Sequence, residues 1–408
     1  MGKICLHVLV ILIALCGSTF AAHVFYVDPI KGSDDGDGST ARPWRMLETV
    51  IAKGQLKRLH DGDTIELATG YHGSIEFSGD NESMVTITAG KGQRPRASRV
   101  TISSGTNWTV RGLVVSPSFA KEPYKGSIIS FGESGKSSKI TIENCYVFTV
   151  EDASPWDAQA WMNANSGINM GRFGRDLTLR NCYVKNTRFG IQLSAFDSLC
   201  EGNVVSDYSA DGIRVTRDGQ TVQYNVVKNV YVSQADGDSN HDDGIQVFLF
   251  NKGTGTVKNI KAIGNIIIGR EDPNQKLQND MQGLGFFDGP LVDFVVSDNV
   301  VFVHHWHGIA LYDAQNARVE RNVVWTPEDE EARGWIMFGN KLKLAKDNVA
   351  KSNYACTFKL KEPGTIEDHN APSTEAIYKK ALDQAYKTIC DKFGAQHFAA
   401  DRPRIGNK

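Results

Sequence analysis

The chain has 408 residues, with 45 Lys plus Arg against 47 Asp plus Glu and a formal net charge of −2. That balance supplies no net field to recruit nucleic acid or an anionic membrane surface, so neither is expected as a partner. Its 39 glycines, set among many Val, Ile, Thr and Asn, favour strands and turns over helices.

Residues 1–21 read as a secretory signal. Lys3 supplies a short basic region, Cys5–Cys16 an apolar core, and Gly17-Ser18-Thr19-Phe20-Ala21 a small-residue cleavage region. The apolar run falls short of the roughly 20 residues a bilayer span needs. A secreted or periplasmic protein is expected, with no membrane attachment after cleavage. The cysteines left are Cys145, Cys182, Cys200, Cys356 and Cys390. They are odd in number and too sparse for a disulfide scaffold. Cys145 and Cys182 recur in one phrase, Glu-Asn-Cys-Tyr-Val and Arg-Asn-Cys-Tyr-Val, which suggests thiols stacked in a core.

Residues 22–72 predict an N-terminal strand and a capping helix. The strand is His23–Asp28. The loop Gly32–Thr40 carries Asp34, Asp35 and Asp37 but no glutamate where an EF-hand needs one, and reads as a solvated turn. Pro43 opens a helical pattern in which Leu47, Val50, Ile51, Leu56 and Leu59 share one face. A period-two strand, Gly62–Leu67, leads to Gly70-Tyr71-His72-Gly73.

Residues 73–360 are repetitive. Asn followed by two or three apolar residues recurs at Asn144, Asn181, Asn203, Asn225, Asn265, Asn299, Asn322 and Asn348. The shortest spacing is 22 residues, and longer ones are that unit plus an insertion. Gly followed by apolar-x-apolar recurs at Gly167, Gly190, Gly212, Gly244, Gly283, Gly308 and Gly334. Self-similarity at this period, with little helix, predicts an all-β parallel solenoid whose coils stack at ~4.8 Å. Asparagines at one corner would hydrogen-bond along the stack. Three coils carry insertions between the asparagine and the next glycine, at 145–166, 226–243 and 266–282. They should wall the face that begins at glycine. Residues 361–408 predict a helical cap and tail, with Ile377, Ala381, Ala385 and Ile389 at four-residue steps, covering the stack's open end.

Phe25-Tyr26-Val27-Asp28, Gly32-Ser33-Asp34, Pro43-Trp44 and Gly62-Asp63-Thr64-Ile65 resemble the opening of exported right-handed parallel β-helix proteins. This is the pectate-lyase-like superfamily, with its pectate lyases, chondroitinase-B-like and alginate lyases, mannuronan epimerases and polygalacturonase-type hydrolases. The resemblance spans roughly Phe25 to Leu360. It implies a right-handed parallel β-helix with an N-terminal capping helix and a C-terminal helical segment. It also implies an exported protein acting on an acidic polysaccharide along a groove on the flank. The superfamily contains phage-tail and surface-binding proteins as well.

The glycine strands suggest where chemistry would sit. The residues before glycine include Asp211, Asp243, Gln282, His307 and Arg333. Alternation then turns outward Gln192, Arg214, Gln246 and Ile336, and next Phe248, Phe287, Tyr312 and Phe338. Polar groups beside aromatics suit sugars, so Gln192, Gln246, Phe248, Phe287, Trp306 and Tyr312 are expected to bind substrate. Asp211 and Asp243 on consecutive coils would repel, so one should keep its proton. Lyase or epimerase chemistry needs a base and a group stabilising an enolate-like charge. His241 or His307 would be the base and Arg214 the carboxylate clamp, and lyase-like chemistry is the leading expectation. Hydrolysis by Asp211, Asp242 and Asp243 is the alternative. The order Asp-Gly, Asp-Asp-Gly, His-Gly is similar to the polygalacturonase pattern, but Ser209-Ala210-Asp211 stands where that family has Asn-Thr-Asp. No Arg-Ile-Lys follows the histidine either. The third alternative is glycan binding without catalysis. Asp236 and Asp238, with Asp242 and Asp243, offer oxygens for Ca2+, although Asp236–Asn240 also has ordinary turn composition. His304, His305 and His307 alternate between two faces of a strand, which argues against zinc.

Overall fold

The computed structural model describes residues 22–59, 62–232, 242–247, 256–278, 281–327 and 331–394. The coil from Gly190 to Gly212 shows how the repeat folds. Ile191–Leu193, Leu199–Glu201 and Val204–Tyr208 are its strands, and each pairs in parallel with its counterpart one coil on. Ile191 and Leu193 point inward and are fully buried, while Gln192 between them faces out. Stacked coils therefore form three faces, called here the glycine, second and third faces. Among the described residues the first two merge into a 23-stranded sheet and the third is a 12-stranded one. Inward columns such as Ile213, Ile245, Leu284, Ile309 and Ile336 are fully buried. Each such side chain contributes roughly 1.5–3 kcal/mol.

The glycine repeat has a steric cause. A Cβ at Gly212 would stand 2.3 Å from a Val227 methyl of the third face, and one at Gly283 would stand 2.2 Å from Gly308 O. The coil turns too tightly there for any side chain. Gly334 departs from this register. His307 pairs with Trp335, and Ile309 with Ile336, across an irregularity. So Trp335, not Arg333, follows His307. Ile336 and Phe338 point inward, and Met337 and Gly339 take the outward positions.

The corner between the second and third faces holds the asparagine ladder. Nδ2 of Asn203 donates to Asn225 Oδ1 at 3.0 Å, and the pattern continues through Asn265, Asn299, Asn322, Asn353 and Asn370. Three expected members lie elsewhere. Asn144 and Asn181 precede the ladder position by one residue and take left-handed backbone, with φ of 54° and 50°. Cys145 and Cys182 occupy the ladder column itself. Cys182 N donates to Asn203 Oδ1 at 2.9 Å, and Cys145 N to Cys182 Sγ at 3.5 Å. The stacked thiols are thus the ladder's continuation. Asn348 belongs to another corner, where its Oδ1 accepts from Ala317 N at 2.9 Å.

Stacking reaches beyond 73–360 at both ends. Val24–Val27 already pairs with Thr64–Leu67, and Ile366–Asp368 and Ala371–Pro372 complete a last coil. Helix α1 (Leu47–Ala52) buries Leu47 and Val50 against the first coils, as a cap should. Helix α2 (Ala158–Met162) lies in the first wall, capped by Asp157, whose Oδ1 accepts from Ala160 N at 2.8 Å. Helix α3 (Glu375–Phe393) does not close the end of the stack. It lies along the flank, burying Tyr378, Leu382, Tyr386 and Ile389 on Val204, Val226, Ile266, Val300 and Val323. Those are outward residues of the third face, made apolar because the helix covers them. Among the described residues no helix is long and apolar enough to cross a membrane.

Candidate functional site

The outward column of the glycine face runs Asn169, Gln192, Arg214, Gln246, Gly285, Ala310, Met337, Lys359 through successive parallel pairs. Polar and charged side chains precede Gly285 and Ala310, where the column drops to its smallest residues, and Met337 and then Lys359 follow them. The space a side chain at 285 would fill is occupied by Asp243. A Cβ there would stand 2.0 Å from Asp243 Oδ1 and 2.5 Å from the Phe287 ring.

Asp211 and Asp243 lie on adjacent coils, as expected, and both are fully buried. Neither enters the apolar interior. The turn at glycine swings each toward the outward residue three positions on. Arg214 Nε pairs with Asp211 Oδ2, and Gln246 Nε2 donates to Asp243 Oδ2 at 3.1 Å. Asp211 Oδ1 accepts from Asp243 N at 3.0 Å. Both oxygens of Asp211 are therefore engaged, one of them by a cation. Arg214 exposes 16% of its side chain and lies 3.8 Å over the Phe189 ring. Asp243 Oδ1 is buried with no hydrogen-bond partner among the described residues. Burial, and then the neighbouring Asp211 carboxylate, push the Asp243 carboxyl well above the ordinary range. The pair is thus unequal: Asp211 is engaged by the Arg214 cation, and Asp243 is the carboxyl pushed toward its protonated form. Asp242 is buried beside them, and its carbonyl accepts from Gln282 N at 2.9 Å.

On the far side of the step the His307 ring meets Phe287 at 5.1 Å, Trp335 at 5.2 Å and Tyr312 at 6.4 Å. Burial raises the Tyr312 phenol, so it keeps its proton at neutral pH. Trp306, 49% exposed, lies parallel to Trp335 at 6.2 Å. His304 is buried beside Phe302 rather than at the site. Lys341 Nζ lies 4.3 Å from the Tyr312 ring centroid, and Lys359 Nζ 3.3 Å from that of Trp335.

The structure therefore brings together Asp211, Asp242, Asp243, Arg214, Gln246, Phe287, His307, Tyr312 and Trp306 on one face, with Gln192 one coil before Arg214. His241, Phe248, Asp236 and Asp238 lie outside the described residues, and so does most of the calcium expectation. Among the described residues no group of three or more His, Cys, Asp or Glu is arranged to hold a metal. Phe189, Trp335, Lys341 and Lys359 were missed. The first two flank the glycine strands. The lysines enter only through the register of the last coils, which the misplaced Gly334 obscures.

A family model for right-handed beta helix regions matches residues 166–349. No curated protein matches the chain in sequence. Several solved structures are similar. A GH136 lacto-N-biosidase from Eubacterium ramulus superposes with TM-score 0.54 and 15% identity, over 86% of this chain and 67% of that one. The mannuronan C-5 epimerase AlgE6 A-module from Azotobacter vinelandii gives 0.51 and 12%, over 81% and 95%. A mannuronic acid specific polysaccharide family 6 lyase from human gut microbiota gives 0.51 and 14%, over 93% and 100%. The chain is a right-handed parallel β-helix, and at these identities the likeness to the solved structures is one of fold.

Proposed function

We propose that the protein is exported, loses residues 1–21, and cleaves a uronate-containing polysaccharide by β-elimination on the glycine face. The reading is carried by the placement of Asp243 on one side and the His307–Tyr312 pair on the other side of the step at Gly285 and Ala310. Elimination removes the proton next to the sugar carboxylate, forms a double bond and expels the glycosidic oxygen. His307 takes that proton. The protonated Asp243, buried beneath the step, acts through Gln246: it holds the outward Gln246 amide, whose second N–H donates a hydrogen bond to the charge that develops on the carboxylate, and Tyr312 protonates the leaving oxygen. Arg214 is committed to Asp211 and fixes the carboxylate pair, while Lys341 and Lys359 attract the polymer's charge. The fold shared with an epimerase and a lyase of mannuronate polymers supports the substrate class.

Hydrolysis is a second reading, favoured by two carboxyl groups on adjacent coils with one of them protonated. The engagement of both Asp211 oxygens weighs against it. Incubation with alginate, pectate, hyaluronan and chondroitin separates the outcomes. Elimination yields ultraviolet-absorbing unsaturated ends, and hydrolysis yields reducing ends without that absorbance. Binding with no product would overturn both readings in favour of a surface-binding protein.

A further inference from the structure

On the third face, one position takes left-handed backbone on three successive coils: Asn186, Asp207 and Asn229, with φ of 52°, 57° and 61°. The two asparagines hold the roots of the walls. Asn186 Nδ2 donates to Val150 O at 2.8 Å, and Asn229 Nδ2 to Glu271 Oε2 at 2.9 Å. Asparagine suits this backbone and would serve equally at the middle coil. The middle coil instead carries a carboxyl, and burial raises Asp207 above the ordinary range. The carboxyl is half-buried and its Oδ2 accepts from Ser206 Oγ at 2.9 Å, so it is held in a fixed place on a coil where an amide would meet the backbone's need.

Asp207 lines a pocket of about 380 Å³ between the walls, within the size range of small-ligand sites. Its apolar side is built from rings. Trp161 of α2 stacks on Tyr231 at 4.6 Å, and Trp156 meets Trp161 edge-on at 4.8 Å. Lys276 Nζ of the opposite wall donates to Trp156 O at 3.4 Å and ties the walls together. None of the lining residues belongs to the glycine face. Four carboxyl groups, on Glu151, Asp152, Asp207 and Asp272, outnumber the ammonium groups of Lys185 and Lys276. Lys185 is already paired with Glu151 at 3.2 Å. This field repels an anion, the reverse of the cationic end of the glycine face.

We infer that this pocket is a second glycan-binding site, taking an uncharged pyranose unit whose apolar face lies on the Trp156 ring, with the Tyr231 ring standing roughly at right angles beside it, and whose hydroxyls meet Asp207. It goes beyond the proposed elimination and does not depend on it, since binding here requires no turnover. The pocket tryptophans supply the signal. The intact protein is titrated with D-glucose, D-galactose, D-mannose and N-acetyl-D-glucosamine, and with D-glucuronate, while tryptophan fluorescence is followed. At least one neutral sugar should give a saturable change with a dissociation constant on the order of 1 mM, and any D-glucuronate response, which Trp306 and Trp335 of the glycine face can supply, should be untouched by Trp156→Ala. Trp156→Ala should weaken that binding about ten-fold or more. Asp207→Asn keeps the ladder residue its neighbours use, so its fold is secure, and it should weaken binding to a similar extent. Asp243→Asn, on the other face, should leave it unchanged. Absence of saturation with every neutral sugar, a D-glucuronate response that Trp156→Ala abolishes, or full binding by a folded Asp207→Asn variant would each overturn the inference. Polymer cleavage is read separately, so the two proposals fail independently.

Discussion

Replacing Gly285 with alanine tests the placement of Asp243 without altering its chemistry. The backbone at 285 is not left-handed, so the cost of the change is steric. The added Cβ would stand 2.0 Å from Asp243 Oδ1, whereas ordinary contact begins near 3.4 Å, so the carboxyl must retreat by about 1.4 Å. Overpacking of this kind costs about 1–3 kcal/mol. With an unfolding entropy of about 2.1 cal/mol/K per residue, that lowers the melting temperature of a chain this long by only about 1–4 °C. A misplacement of roughly 1 Å at a reacting group costs on the order of 10²-fold in rate. Far-UV circular dichroism should therefore be native, while the rate of unsaturated-end formation falls about 10²-fold. The Phe287 ring, 2.5 Å from the same Cβ, must also give, and adding the change to Asp243→Ala separates the two: little further loss shows that the effect runs through the Asp243 carboxyl. A folded Gly285→Ala variant with the wild-type rate would remove Asp243 from the chemistry.

Other substitutions probe the same framework. Asp243 has its pKa raised above the unfolded value, so its favourable contribution is complete below about pH 4 and is lost as pH rises through the folded pKa. Asp243→Asn should accordingly melt above the wild type at pH 8 and level with it near pH 4, yet lose turnover; scanning fluorimetry across pH checks the first part. Arg214→Met strands the fully buried Asp211 charge and should cost about 3–5 kcal/mol in denaturant unfolding. A loss below about 1 kcal/mol would mean that Asp211 is not charged in the fold. Asn265→Ala orphans Asn225 N–H and Val222 O, each worth about 1–3 kcal/mol when buried, whereas Asn370→Ala at the half-buried end of the ladder should cost less.

Periodicity made the solenoid legible because stacking forces the same side chain into the same place on every coil. It located the glycine strands and the adjacency of Asp211 and Asp243 for that reason. The errors arose where two residue types satisfy one position. Cysteine replaces asparagine at Cys145 and Cys182, and the true ladder residue of a late coil is Asn353, not Asn348. Gly334 resembles the repeat but follows an irregularity, which shifted every later outward residue by one. The flank position of α3 also had an unread signal. Val204-Val205, Val226-Val227 and Ile266-Ile267 are apolar on both sides of the sheet, which a solvent-facing strand would not be. The engagement of Asp211 by Arg214 depends on side-chain direction after a tight turn, which spacing alone does not encode.

The path of α3 bears on how the molecule comes apart. In a solenoid each coil touches only its neighbours, so unfolding can start at an end and proceed rung by rung. A helix anchored on Val204 at one extreme and Val323 at the other joins rungs that never meet. Rungs under the helix must yield together, while those built from Val24 to about Arg180 lack the strap. Pulled from its ends, the protein should lengthen in small steps from the amino-terminal part and then in one large event, the α3-bound segment acting as a single mechanical unit.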